Sequence, residues 1–166
     1  MSVVETFNLK PISREAVAEA LKKAERYRLL NEPTQAESIC RDVLRVDPDN
    51  QQALVQIVLT LTDRFGRDAA GVRNAREYAG KLQDDYARTY YSALISERHA
   101  RALLAKGMSS SFAYDGLREA MDGYEAAETL RPAGHDDAIL RWNSCVRTIR
   151  RANLRPRDED DELPLE

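Results

Sequence analysis

The chain has few of the residues that carry metal ions, disulfides or nucleophilic catalysis. Its only cysteines and histidines are Cys40, Cys145, His99 and His135. Each cysteine falls at an apolar position of a predicted helix, which indicates reduced core residues rather than a disulfide. The histidines lack the spacing of zinc ligands, and no Gly-rich phosphate loop is present. We therefore expect no metal, no cofactor and no enzyme activity.

Long apolar runs are also missing. No stretch approaches the roughly 20 apolar residues of a membrane span. The segment 1–10 carries Glu5 early and has no apolar block, so it does not resemble a signal peptide. These absences, with the reduced cysteines, predict a soluble cytoplasmic protein that has no membrane partner.

Charge of one sign is not in large excess. The net charge is −3, but residues 158–166 hold six acids and no base, which leaves 25 bases and 22 acids in residues 1–157. This small positive excess, without aromatic residues interleaved in a basic region, does not favour nucleic-acid binding. A basic segment with five arginines, 147–157, precedes the acidic one.

What the chain does contain is helical periodicity. Apolar residues at Ala36, Ile39, Cys40, Val43 and Leu44 follow the spacing of an amphipathic helix. Helices are also predicted from Ser13, from Asn50 to Phe65, and over about 72–86, 88–106, 112–130 and 136–152. The helix predicted from Asn50 to Phe65 is apolar nearly all round and should be the central one. Isolated Gly80, Gly116 and Gly123 are interpreted as sites of close helix contact. The predicted fold class is all-α, with about seven helices.

One spacing in the sequence recurs. The pattern has four positions: a small residue, a bulky one, a small or apolar one, and a proline, at intervals of four, three and five. It occurs in two places, and a weaker copy lies between them. The members are Ala36, Cys40, Val43 and Pro48; Ala120, Tyr124, Ala127 and Pro132; and Ala75, Ala79, Leu82 and Ala87. With Ala24 and Tyr27 ahead of the first copy, this pattern resembles the tetratricopeptide repeat, although Ala20 and Lys23 stand where that family has Trp and Leu.

The resemblance implies a right-handed array of three irregular repeats, an α-solenoid. Pro48 and Pro132 lie 84 residues apart, whereas two repeats of about 34 residues need only about 68. The extra residues are expected near 66–71 and 107–112. The domain division that follows is a flexible N-terminus over 1–12, a helical domain over 13–152 and a disordered acidic tail over 153–166.

In that family the first helix of each pair lines a concave ligand groove. Carried over, this implies eleven groove residues: Leu21, Lys22, Glu25, Arg28, Gln52, Gln56, Leu59, Tyr91, Leu94, Ile95 and Arg98. Leu21 and Glu25 stand where one subgroup has a lysine/asparagine clamp for a carboxylate, so that clamp is absent. Tyr90, Tyr91 and Trp142 are interpreted chiefly as packing between helices.

The resemblance favours a protein-interaction module or adaptor that binds a peptide or partner helix in the groove. The alternative from the same resemblance is a secretion-type chaperone for a protein cargo. A helical enzyme would need a buried polar cluster that the sequence does not reveal. The sequence leaves the partner and the oligomeric state open.

Overall fold

A computed structural model describes residues 6–66 and 70–158. Over these ranges the protein contains helices and no β-strand, so the all-α prediction is confirmed. A 3-10 turn at Arg14–Ala16 precedes the first α-helix. The α-helices in the described ranges are α1 Val17–Leu29, α2 Pro33–Val46, α3 Gln51–Thr62, α4 Gly71–Gly80, α5 Asp85–Ala105, α6 Ser110–Leu130 and α7 Asp137–Arg151. None of the described helices is long and apolar enough to cross a membrane.

Local sequence signals set several helix ends. Pro33 occupies the first turn of α2, where its missing N–H is not needed. Asn50 caps α3, because its Oδ1 accepts a 2.9 Å hydrogen bond from the Ala53 N–H. Asp84 caps α5 in the same way through Ala87. The fourth helix ends at Gly80, before the predicted residue 86, because residues 81–84 form a non-helical connection that ends at Asp84, the N-cap of α5.

The C-terminus of α7 continues the packed core beyond the predicted boundary. Asn153 adopts a left-handed conformation with φ 51°, and the Leu154 N–H then reaches back to the Ile149 carbonyl at 3.0 Å. This arrangement is a Schellman motif. It turns Leu154 into the core, where it is only 6% exposed. Leu154 was placed in the predicted tail 153–166; residues 1–5 and 159–166 of the two predicted terminal segments lie outside the described ranges.

Each helix packs against its neighbours along the chain, and α3 also contacts both α1 and α5. The helix α3 is buried on several sides, as its apolar sequence predicts. Its Ile57, Val58 and Leu61 form a core cluster with residues of α1, α2, α4 and α5. A second cluster joins α5, α6 and α7. Cys40 and Cys145 are buried, free thiols within these two clusters.

The contact between α5 and α6 is the most extensive pairing of helices in the described ranges. A Cβ added to Gly116 would lie 2.8 Å from the Ala100 Cβ, and one added to Gly123 would lie 2.8 Å from the Ala93 Cβ. Both glycines therefore allow close approach, as predicted. Gly80 does not, because no packed neighbour in the described ranges lies within 4 Å of its added Cβ.

Candidate functional site

The residues predicted to line a groove fall into three groups by burial. Leu21, Leu94 and Ile95 are at most 2% exposed, so they are core residues and present no surface to a ligand. Their positions on amphipathic helices point them inward, where the apolar contacts are. Gln56 is buried as well, at 9% exposure, and the other members of the set divide into half-buried and exposed side chains. Half-buried are Arg28, Leu59, Tyr91 and Arg98, and exposed are Lys22, Glu25 and Gln52.

An ion cluster joins α1, α3 and α5 on this face. Arg28 donates from Nε to Oδ2 of Asp63 at 2.7 Å, and Arg98 donates from Nη1 to Oδ1 of the same carboxylate at 2.9 Å. Asp63 stands at the C-terminal end of α3 and was not among the predicted groove residues. All three side chains are about three-quarters buried. Two guanidinium groups share one carboxylate, so the cluster carries a net positive charge and spare N–H donors.

Gln56 lies on the same face of α3, two turns before Asp63. It is 9% exposed, and its buried Oε1 has no hydrogen-bond partner among the residues that the structure describes. A buried carbonyl oxygen without a donor costs about 1–3 kcal/mol relative to a paired one. Gln56 therefore contributes a buried polar group to α3, and its oxygen is closed off from solvent.

Aromatic rings extend from this face along α5. The Tyr91 ring meets Tyr90 edge-on at 5.1 Å, and Tyr90 contacts both Tyr86 and Tyr124 at 5.7 Å. The Tyr86 hydroxyl lies 3.0 Å from Nδ1 of His135 in the turn before α7. Burial raises the pKa of Tyr90 and Tyr91. These rings pack between helices, and they fix the side of Tyr91 that remains accessible.

A buried acid forms a second polar cluster, between α5, α6 and α7. Glu97 is wholly buried. Its Oε2 accepts a 2.5 Å hydrogen bond from the Tyr124 hydroxyl, and its Oε1 accepts a 2.8 Å bond from Nε of Arg101. Arg141 approaches Oε2 at 3.6 Å. Burial, and then the charge of Glu97, raise the pKa of Tyr124.

Protein side chains contact both carboxylate oxygens of Glu97. Arg101 continues to the hydroxyls of Thr148 at 2.7 Å and Ser144 at 2.9 Å, both on α7. The cluster therefore ties three helices together and leaves Glu97 no oxygen free of protein donors. Sequence reasoning missed it. The spacing of Glu97 and Arg101 by four residues was a signal, but such pairs are usually solvent-exposed.

No cluster of His, Cys, Asp and Glu suited to a metal ion occurs among residues 6–66 and 70–158. In the His135-Asp136-Asp137 segment, Nε2 of His135 lies 3.6 Å from Asp137, while Asp136 pairs with Arg131 at 3.3 Å. The two carboxylates thus have different partners. The acids stand at the start of α7, where they complement the helix dipole.

No protein-family model, curated protein or solved structure matches this chain. The resemblance to tetratricopeptide repeats consequently stays a prediction from the recurring residues in the sequence.

Proposed function

We propose that the chain is a helical-repeat protein of the tetratricopeptide type that binds a peptide or partner helix, and that it is not an enzyme. The packing order supports this proposal. Helices α1, α3 and α5 are the first members of successive pairs, and α3 contacts the other two. In a repeat array such contacts between alternate helices produce a continuous face.

The observation that carries the proposal is the half-buried surface that these alternate helices leave beside the Arg28–Asp63–Arg98 ion cluster. An extended peptide can cover apolar surface of this kind and place an acceptor on the spare guanidinium N–H groups. Leu59 and Tyr91 provide half-buried apolar surface on the same helices. The binding surface proposed here, the concave face, consists of Arg28, Gln56, Leu59, Asp63, Tyr91 and Arg98.

The ion cluster favours one position of a bound peptide along α3. Gln56 and Asp63 are seven residues apart on α3, which corresponds to about 10 Å along the helix axis. An extended segment covers that distance with about three residues. A ligand that lies over the Gln56 turn of α3 would therefore reach the Arg28–Asp63–Arg98 cluster about three residues farther along, where spare guanidinium N–H groups favour an acceptor.

Affinity capture from the native source followed by mass spectrometry tests the proposal. The captured partner is then titrated against wild type and against Arg98→Glu with Gln56→Ala. We expect the double variant to weaken binding by at least about tenfold while the helical circular-dichroism signal is kept. Arg150→Glu with Gln35→Ala is the matched control, because both of those residues are exposed and lie elsewhere.

Equal binding by the double variant and wild type would refute the concave face. A secretion-type chaperone, the alternative function, predicts a different result of the capture. Its partner would be one secreted protein that precipitates when it is expressed without this chain.

A further inference from the structure

An open cavity of about 350 Å³ lies where α2, α3 and the end of α4 meet. Its wall includes Leu54, which lies two residues before Gln56 on α3. Two residues correspond to about 200° around a helix, so this cavity and the concave face lie on opposite sides of α3. Five of the lining residues are apolar or aromatic: Leu9, Leu44, Pro48, Leu54 and Tyr78.

The remaining described residues that line this cavity are all cationic, namely Arg41, Arg45 and Lys81, and no acid is among them. Arg41 pairs with Glu37 at 2.7 Å, and the ammonium group of Lys81 lies 3.9 Å from Glu77 in a well-exposed pair. Arg45 is exposed and has no ion-pair partner among the residues that the structure describes. The floor is therefore apolar, and Arg45 is the rim cation whose charge no described acid neutralises, while Arg41 and Lys81 have carboxylate partners.

Acidic side chains are found on the far side of Leu9 and Arg41. Those two residues also border a neighbouring cavity of about 390 Å³, which Glu37 and Asp42 line together with Arg64. The two cavities therefore differ in charge: acids and arginines both line the second one, whereas the charged residues that line the first are cations. A ligand with negative charge is favoured only in the first cavity.

We propose that the cavity lined by Leu9, Arg41, Leu44, Arg45, Pro48, Leu54, Tyr78 and Lys81, the α2–α4 trough, is a second docking surface. Its ligand is a short peptide segment of a partner protein in which large apolar side chains are flanked by carboxylates. The apolar floor accommodates the apolar side chains, and the cations at the rim, Arg45 above all, attract the carboxylates. The volume lies within the range of ligand-binding clefts. This inference is independent of the concave face.

A fluorescein-labelled peptide with Leu-Phe between two Asp-Glu pairs serves as the probe, and fluorescence anisotropy measures its affinity. We expect saturable binding that is lost when Leu-Phe is replaced by Gly-Gly, and lost when Asp-Glu is replaced by Lys-Arg. Arg45→Glu with Lys81→Glu should weaken binding by at least about tenfold. Both side chains are exposed, so these substitutions leave the core intact.

Arg14→Glu with Arg151→Glu is the control, because it makes the same change in net charge at exposed positions away from the trough. The control should bind the peptide with an affinity within about twofold of wild type. Equal weakening by both variants would show a response to net charge alone and would overturn the proposal. So would weakening by Arg98→Glu with Gln56→Ala but not by the trough variant, because the peptide would then occupy the concave face. No measurable binding of the probe would also overturn it.

Discussion

Replacing Gly123 by alanine tests the close approach of α5 and α6. The new Cβ would lie 2.8 Å from the Ala93 Cβ, which is well inside van der Waals contact. Ala93 has no flexible side chain that could move away, so the helices must separate locally. Overpacking of this kind costs about 1–3 kcal/mol. The exchange of glycine for alanine inside a helix returns about 1 kcal/mol, so the net destabilisation should be about 0–2 kcal/mol.

Gly80→Ala is the matched control, because it makes the same chemical change at a helical position with no packed neighbour in the described ranges within 4 Å of the new Cβ. It should stabilise the protein by up to about 1 kcal/mol. Urea unfolding followed by circular dichroism gives the free energy of unfolding for both variants. The difference between them, about 1–3 kcal/mol, isolates the steric cost.

A double-mutant cycle completes this experiment. Ala93→Gly removes the methyl group that Gly123→Ala would strike, so the pair of substitutions should be less damaging than the sum of the two alone. We expect a favourable coupling energy of about 1–3 kcal/mol. The reasoning about close packing is refuted if Gly123→Ala stabilises the protein as much as Gly80→Ala, or if the coupling energy is zero.

Two further predictions concern buried titratable groups. Tyr124→Phe removes the hydroxyl that donates to the buried Glu97 carboxylate and should lower the free energy of unfolding by about 1.5–3 kcal/mol. The control is Tyr114→Phe, at a half-buried position without such a bond, which should change the free energy of unfolding by less than about 0.5 kcal/mol. Equal effects of the two substitutions would show that the hydrogen bond contributes nothing. Burial raises the pKa of the Cys40 and Cys145 thiols from 9.0 to about 12. As the pH rises, the thiols of the unfolded chain therefore lose their protons before those of the folded protein. The free energy of unfolding should consequently fall as the pH rises from about 9 to about 12. Urea titrations across that range should give a shallower fall for Cys40→Ala with Cys145→Ala, and an unchanged slope would contradict the thiol contribution.

Helix positions could be predicted from the sequence wherever local signals were strong. The proline at the start of α2 and the apolar stripe of α7 placed those helices within a residue or two. The end of α4 was misplaced because Asp84 caps α5, a choice that depends on how the segment 81–84 packs. Gly116 and Gly123 were interpreted correctly, but Gly80 has the same local sequence character and a different environment.

The candidate site was harder to predict, since side-chain partners come from distant parts of the chain. Leu21, Leu94 and Ile95 were assigned to a groove by analogy of position, although their apolar character already favoured the core. Asp63 joins two arginines that lie 35 residues away on either side, a relation that no local spacing contains. Glu97 was missed for the same reason, because its Tyr124 and Arg141 partners lie on other helices.

The hydrogen bond between Glu97 and Tyr124 has a consequence for how α5 and α6 align. Ala93 and Ala100 are seven residues apart, as are Gly116 and Gly123, so the small-residue contacts repeat along both helices. Sliding one helix by that distance, about 10 Å, would still place Gly116 opposite Ala93. The slipped pairing would leave the Glu97 carboxylate without its tyrosine donor, which is costly inside a core. The small residues thus make the helices close, while the polar pair selects a single register between them.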